Sequence, residues 1–448
     1  MNPSFAALAA ICVRLRVAAC MCAVVLAGCT SYHPLPIDPQ AEASVFDSRT
    51  LGLGPWRLSD LQNEAVRLHP DAAASAAGLK AAQAAAISAG ARPNPTLSAS
   101  VQKNTSAEPG TPAWTDILSL DIPFEVAGKR SLRATRAAWL LRAAQQSQLD
   151  TLWRIRARTR DAYLAAYPLD GATLERLSIQ EELARETDRR LAAGMASSGE
   201  ALQARMAARQ AHLTMEDATR RRDEGRRRLA ASIGVPSRTL EDAQLPFDDV
   251  REQVLPSLDA VHQACEQAVQ SRPDLLAALA EYEATQTALQ LEIARQYPDV
   301  SIGPGYSWDA GALKWSLGLV LNLPLFDRNQ GPIAEAEARR AEAAANFRGL
   351  QERAIAEIGD AQAAYAQAIK LLDLTGRMAL DQRARLQSAE VVFRAGAIDR
   401  MALLAARLEA SSTESTHVEA LLDAFKAAGR VEDALRHPIA PSTPKGQP

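Results

Sequence analysis

Histidine and cysteine are the side chains best suited to hold a transition metal or act as nucleophiles, and their spacing here argues against either role. The six histidines, His33, His69, His212, His262, His417 and His437, each lie more than four residues from the next. None forms the close pair that would place two imidazoles on one helix face. No HExxH, CxxC or glycine-rich phosphate loop occurs. Serines and aspartates fall at turns and helix starts, where their ordinary work is capping. The residues therefore predict no enzyme, no cofactor and no resident metal. One thiol has a different prospect: Cys29 follows Leu26-Ala27-Gly28 and an apolar run, VAACMCAVVLAG, preceded by Arg14 and Arg16. That order reads as a secretory signal too short to stay in a membrane.

The 448 residues carry 50 basic and 53 acidic side chains. Removing residues 1–28 takes two of those 50 and no acid, leaving 48 against 53, or −5. Nothing in that balance is a footprint for nucleic acid. Cys12, Cys20 and Cys22 leave with the signal, so Cys265 is the one thiol besides Cys29 and no intrachain disulfide is expected. Cys265 lies in a helical apolar stretch and reads as a buried structural thiol. The stretch ending at Cys29 resembles the bacterial lipoprotein signal. That resemblance implies a lipid on Cys29 and, with Thr30 in place of a retaining aspartate, sorting to the outer membrane.

Two stretches carry the period-two alternation of strands. Trp315, Leu317, Leu319, Leu321 and Leu323 alternate with Ser316, Gly318, Val320 and Asn322, and Val300, Ile302, Tyr306 and Trp308 continue the pattern before a turn at 309–311. Upstream, Leu97, Ala99 and Val101 alternate with Ser98, Ser100 and Gln102, and Leu118, Leu120, Ile122 and Phe124 with Ser119, Asp121 and Pro123. Each strand is about 10 residues long, the length a tilted strand needs to cross a bilayer's hydrocarbon. A shift of about 202 lays one half of the chain on the other, with Pro70-Asp71 on Pro273-Asp274, Tyr163 on Tyr365, Gly194 on Gly396 and Leu202 on Leu404. The chain is an internal duplication.

The remaining sequence is rich in Ala, Leu, Glu, Arg and Gln and predicts long helices. One runs from Lys129 to Gly194 and its counterpart from Pro332 to Ala395, each about 64 residues or roughly 96 Å. Pro168, with Gly171 behind it, is expected to kink or interrupt the first. The other helices are about half as long and lie as stacked pairs beside the long ones. Ser59 and Asp71 are expected caps, and 234–256 an aperiodic connector. Four strands cannot close a barrel, and lipid does not tolerate open edges. Copies must pool strands, and three copies would give twelve, enough for a pore. The small polar set Ser98, Ser100, Gln102, Ser119, Asp121, Ser301, Ser316 and Asn322 would line it. Trp114, Phe124, Tyr306, Trp308, Trp315 and Phe326 fall near strand ends, where aromatic belts lie. The competing reading is a soluble sheet with its polar face in water.

These residues resemble the TolC-like outer-membrane efflux proteins over nearly the whole chain. The most specific matches are PNPTL at 93–97, GKR at 128–130, PLF at 324–326, and a tip pattern at Gly194, Ser197 and Leu202 that recurs at Gly396, Asp399 and Leu404. The PNPTL and GKR forms are most similar to the heavy-metal branch of the CzcC type. The resemblance implies a mainly α fold with a small β part: a homotrimer whose twelve-stranded outer-membrane β-barrel stands on a long α-helical periplasmic barrel. It implies two partners, a periplasmic adaptor (membrane fusion protein) and an inner-membrane RND-type pump that supplies the energy. It divides the chain into a signal (1–28), an extended tether (29–58), a first efflux repeat (59–233), a connector (234–256), a second repeat (257–436) and a disordered tail (437–448). It also implies that both tips dock the adaptor and form the closed periplasmic aperture. Some relatives place acidic rings after the second tip, yet 401–406 holds no acid here, which leaves Asp399 and Arg400 as gate candidates. The expected function is a passive duct, lipid-anchored in the outer membrane of a Gram-negative bacterium, exporting heavy-metal cations. Drug or other small-molecule export is the competing cargo, and a periplasmic adaptor or scaffold lipoprotein the competing class.

Overall fold

The computed structural model describes residues 30–439 apart from 53, 107–113, 168–170, 242, 249, 251–253 and 310–311. The signal, Cys29, Pro168, most of the turn at 309–311 and the tail from 440 lie outside the described residues. The chain divides into two units, Met1–Arg49 and Thr50–Pro448. In the first, helix α1 (Pro39–Ser48) starts at Asp38, whose carboxylate accepts from the Gln40 amide at 2.9 Å. The expected tether over 29–58 thus contains a helix. Pro39 reads as extended chain but occupies the first helical position, where its missing N–H costs nothing.

The second unit runs α2 (Leu58–Leu68), α3 (Pro70–Ala89), β1 (Thr96–Lys103), β2 (Trp114–Phe124), α4 (Lys129–Ala165), α5 (Gly171–Ala192) and α6 (Ser198–Ile233), then a 3₁₀ turn at Ser237–Leu240. It repeats as α7 (Leu258–Ser271), α8 (Pro273–Ala294), β3 (Val300–Asp309), β4 (Ala312–Leu321), α9 (Gln330–Arg394) and α10 (Arg400–Leu435). Helix α4 packs along α3 and α8, and α9 along α8 and α10. The first long helix is two pieces of 37 and 22 residues, whereas α9 runs 65 residues unbroken, about 98 Å. Ser59 and Asp71 are not caps. Helix α2 starts after Arg57, whose amide donates to Asp60 at 3.3 Å, and α3 after His69, whose ring accepts from the Asp71 amide at 3.1 Å. Pro70 at the first helical position moves that cap to the residue before it.

Each repeat has one compact apolar core, away from the sheet. In the first, Leu61, Tyr163, Leu229, Ile233, Leu240, Phe247 and Val250 are buried together, with the Tyr163 and Phe247 rings 4.5 Å apart. In the second, Val261, Ile358, Tyr365, Val431 and Leu435 do the same beside Cys265. Burial pushes the Tyr365 phenol up to about 12, so it stays a donor to the Pro256 carbonyl at 2.6 Å. The connector 234–256 is not a passive link, because Val235, Leu240, Phe247 and Val250 complete the first core. Along α9 the buried residues are mostly alanines, Ala336, Ala354, Ala361 and Ala379, which lets backbones approach closely.

Among the described glycines the tightest surroundings are at Gly225 of α6. A Cβ there would lie 2.3 Å from the Ala165 carbonyl oxygen, at the end of α4. Backbone cannot yield as a side-chain tip does. Gly225→Ala is expected to destabilise the chain by about 3 kcal/mol through overpacking, read by denaturant unfolding in detergent. Gly78→Ala on α3, where nothing lies within 4 Å, is expected to be neutral or stabilising.

Candidate functional site

The four strands form one antiparallel sheet in the order β1-β2-β3-β4. Directly paired residues share a face, so the register assigns every side chain. Ser98 pairs with Ser119 and Thr96 with Asp121. Ser119 in turn faces Gly305, and Ser301 faces both Pro123 and Val320. Gly305 then pairs with Ser316. Seven of the residues predicted to line a pore therefore lie on one face, and Asn322 follows β4 by one residue in the same alternation. The opposite face carries Leu97, Leu118, Leu120, Ile122, Ile302, Leu317, Leu319 and Leu321. It is bare in the isolated chain, with Leu317 77% and Leu319 71% exposed. Aromatic residues gather toward the ends of that face. Trp114 and Trp308 lie at the hairpin-turn end, where Lys103 sits 5.5 Å over the Trp114 ring, and Tyr306 meets Trp315 edge-on at 5.4 Å. Among the described residues, neither β1 nor β4 has a partner on its outer edge. No described helix is long and apolar enough to cross a membrane.

The GKR stretch has a mechanical role that its composition does not disclose. Gly128 takes a left-handed φ of 69° and turns the chain from β2 into α4. The Lys129 ammonium, in a residue only 7% exposed, then donates to the Tyr297 carbonyl at 2.6 Å and to Asp299 at 2.8 Å, at the start of the second hairpin. Arg130 donates to the Gly90 carbonyl at 2.7 Å, at the end of α3. Arg133 bridges Glu125 and the Ala91 carbonyl. Three basic residues among the first five of α4 thus clamp the helix–strand junctions of both repeats. In the second repeat Asn329, with φ 63°, does comparable work by donating to the Glu292 carbonyl at 2.7 Å.

At the far end of the helices the two tips share a backbone and differ in their surfaces. Gly194 and Gly396 have φ of 73° and 74°. Each closes its helix with paired backbone bonds, Met195 to Arg190 with Gly194 to Leu191, and Ala397 to Val392 with Gly396 to Phe393. Ser197 accepts from the Glu200 amide and Asp399 from the Ala402 amide, starting α6 and α10. Yet Leu202 is 60% exposed and Leu404 2%. Helix α10 packs on α5 of the other repeat as well as on its neighbour α9, and at its start Arg400 reaches Glu182 of α5.

The gate candidates are both engaged across the repeats. Asp399 accepts from Arg190, and Arg400 donates to Glu182 at 2.8 Å. Sequence reasoning missed Arg190 and Glu182, since nothing in an arginine-rich helix marks which side chain reaches a partner two hundred positions away. The Ala402 amide first, then Arg190, hold the Asp399 carboxyl below the usual carboxylate range. A lowered value means the pair persists at neutral pH and is lost only as pH falls through that lowered pKa. Among the described residues, no three His, Cys, Asp or Glu side chains are placed to hold a metal ion.

The outer membrane efflux protein family matches over residues 61–235 and 264–435, one span per repeat. The chain belongs to that family. Among proteins similar to this efflux-family chain is the cobalt-zinc-cadmium resistance protein CzcC of Cupriavidus metallidurans, 27% identical over 63% of this chain and 66% of that protein, just under two thirds of its length. The nickel and cobalt resistance protein CnrC of the same organism is 27% identical over 70% of this chain and 72% of its own. The crystal structure of the outer membrane protein VceC from Vibrio cholerae superposes with a TM-score of 0.67 at 23% identity, covering 86% of this chain and 97% of that one. That last likeness is one of fold, and it fixes the class of this family member as mainly α with a small sheet on long helices.

Proposed function

We propose that three copies of this chain pool their strands into a twelve-stranded barrel and serve as the outer-membrane duct of a tripartite efflux system. The observation that carries this is the sheet itself, with two open edges, one bare apolar face and one small polar face. Lipid would cover the first face, water would fill the space behind the second, and pairing β1 of one copy with β4 of the next removes every edge. Ser98, Ser100, Gln102, Ser119, Asp121, Ser301, Ser316 and Asn322 line the lumen. The duct is passive and draws its energy from an inner-membrane RND-type pump through a periplasmic adaptor. The adaptor docks at the tips formed by Gly194, Ser197 and Leu202 and by Gly396 and Asp399, the second tip seated on the buried Leu404. The Arg190–Asp399 and Glu182–Arg400 pairs hold the aperture closed, and Cys29 carries a lipid in the outer membrane. The names of the two resistance proteins favour divalent heavy-metal cations as cargo over drugs.

The test is deletion of the gene in its host. Tolerance of cobalt, zinc or cadmium is expected to fall several-fold and to return with the intact gene. Loss of drug tolerance alone would overturn the cargo, and a detergent-free soluble monomer would favour the scaffold over the duct. The mass of the mature N-terminal peptide reads the lipid directly. At the tip, Gly396→Val is expected to abolish export while heat-modifiable trimers still form. Nothing lies within 4 Å of its added Cβ, so the damage is confined to a left-handed turn strained by about 1–3 kcal/mol. Normal metal tolerance in that variant rejects tip docking.

A further inference from the structure

Charge on the polar face of the sheet is sparse and almost self-cancelling. Asp309 is paired with Lys314 at 2.7 Å and accepts from Thr115 at 2.8 Å. The other positions on that face are Thr96, Ser98, Ser100, Gln102, Ile117, Ser119, Ser301, Ser307, small residues and Val320, all uncharged. Asp121 is the exception: half-buried, opposite Thr96, and in no ion pair among the described residues. It sits three residues from the helix end of β2, where the sheet meets α4. The basic groups that start α4 are committed elsewhere, Lys129 to Asp299, Arg130 to the Gly90 carbonyl and Arg133 to Glu125.

We propose that Asp121, repeated by the three-fold axis, forms a ring of three carboxylates where the barrel joins the helical tunnel, and that this ring makes the duct prefer cations. The inference rests on the trimeric duct reading and assigns its selectivity to one residue. Twelve strands about 4.8 Å apart and tilted about 40° give a wall radius of about 12 Å, which leaves the carboxylates about 10 Å from the axis. Three unit charges at that distance in water, screened over a length of about 10 Å at 0.1 M salt, enrich a monovalent cation on the axis roughly twofold and deplete an anion as much. The permeability ratio is then roughly fourfold, and a divalent cation, feeling the potential twice, is itself enriched roughly fourfold. A ring of that strength biases traffic without trapping it, which suits a conduit that must release its cargo.

The experiment reconstitutes the purified trimer in planar bilayers and reads the potassium-to-chloride permeability ratio from the reversal potential across a potassium chloride gradient near 0.1 M. Wild type is expected to favour potassium, Asp121→Asn to lower the ratio about fourfold, and Asp121→Lys to bring it below one. The same substitutions are measured in an Arg190→Ala background, where a loosened tip leaves the barrel as the narrower filter. Heat-modifiable trimers in the asparagine variant exclude misfolding as the cause. An unchanged ratio in both backgrounds overturns the ring and leaves the duct standing. A trimer that conducts nothing even in the Arg190→Ala background overturns the duct and the ring together.

Discussion

Leu317→Arg is expected to abolish assembly in the outer membrane, whereas Ser100→Lys on the opposite face of the same sheet is expected to leave it intact. Leu317 is the sixth of ten residues in β4, near the middle of the strand's span, and 77% exposed in the isolated chain. Its face is continuous with Ile302, Leu319 and Leu118 across three strands. An arginine at the midplane of a barrel's lipid face costs about 2–4 kcal/mol, so three copies lose roughly 6–12 kcal/mol. That is comparable with the whole stability of an ordinary domain. Ser100 pairs with Ile117 on the polar face, where a lysine stays hydrated and repels only its own copies. The readout is the fraction of heat-modifiable trimer in the outer-membrane fraction. If the arginine variant assembles normally and the lysine variant does not, lipid and lumen have been assigned to the wrong sides.

The second large effect is expected far from the sheet. Arg272, 1% exposed, precedes α8 and donates to Asp274 at 2.6 and 3.0 Å, to Glu357 of α9 at 3.1 Å and to the Ala434 carbonyl at the end of α10 at 2.9 Å. One guanidinium therefore holds three helices. Arg272→Ala strands a half-buried carboxylate and a carbonyl, and is expected to cost about 3–5 kcal/mol in unfolding at neutral pH. Arg272→Lys recovers little of it, because an ammonium cannot bridge three acceptors in a planar fork. The pH dependence has a definite sign. Burial alone would raise Asp274, but the Arg272 hydrogen bonds and charge, helped by Arg436, outweigh it and hold the carboxyl below its usual value. That contribution is present above the unfolded carboxylate pKa and disappears as pH falls through the depressed one. The stability gap between wild type and alanine variant should be constant between about pH 6 and 8 and narrow below about pH 4. A gap that stays constant into acid would mean the arginine acts by packing alone.

What the sequence disclosed depended on whether the signal was local. Alternation along β1 to β4 separated the polar from the apolar side chains before any pairing was known, because a strand's period is a property of neighbours. Left-handed glycines at both tips were legible for the same reason. Arg272 was not, since it looks like any residue ahead of a proline and its partners Glu357 and Ala434 lie on other helices. The connector 234–256 hid its core residues because its pieces are too short to show a period, although Phe247 and Val250 are buried. Duplication misled at one point. Leu202 and Leu404 occupy matching positions, yet only the second is covered, because burial is decided by what packs against a position. The same long-range blindness concealed Arg190 and Glu182, which complete the tip around Asp399 and Arg400.

The order of the sheet constrains when it can form. Its central contact joins β2 to β3, strands from different halves of the chain separated by α4, α5, α6, α7 and α8. The N-terminal half, synthesised first, presents β1 and β2 with no neighbour for the inner edge of β2 and no Asp299 for Lys129. Loop closure over that distance is slow, and an apolar ribbon left waiting is prone to aggregate. On the duct proposed above, closure of the sheet therefore has to wait until both halves of the chain have been made.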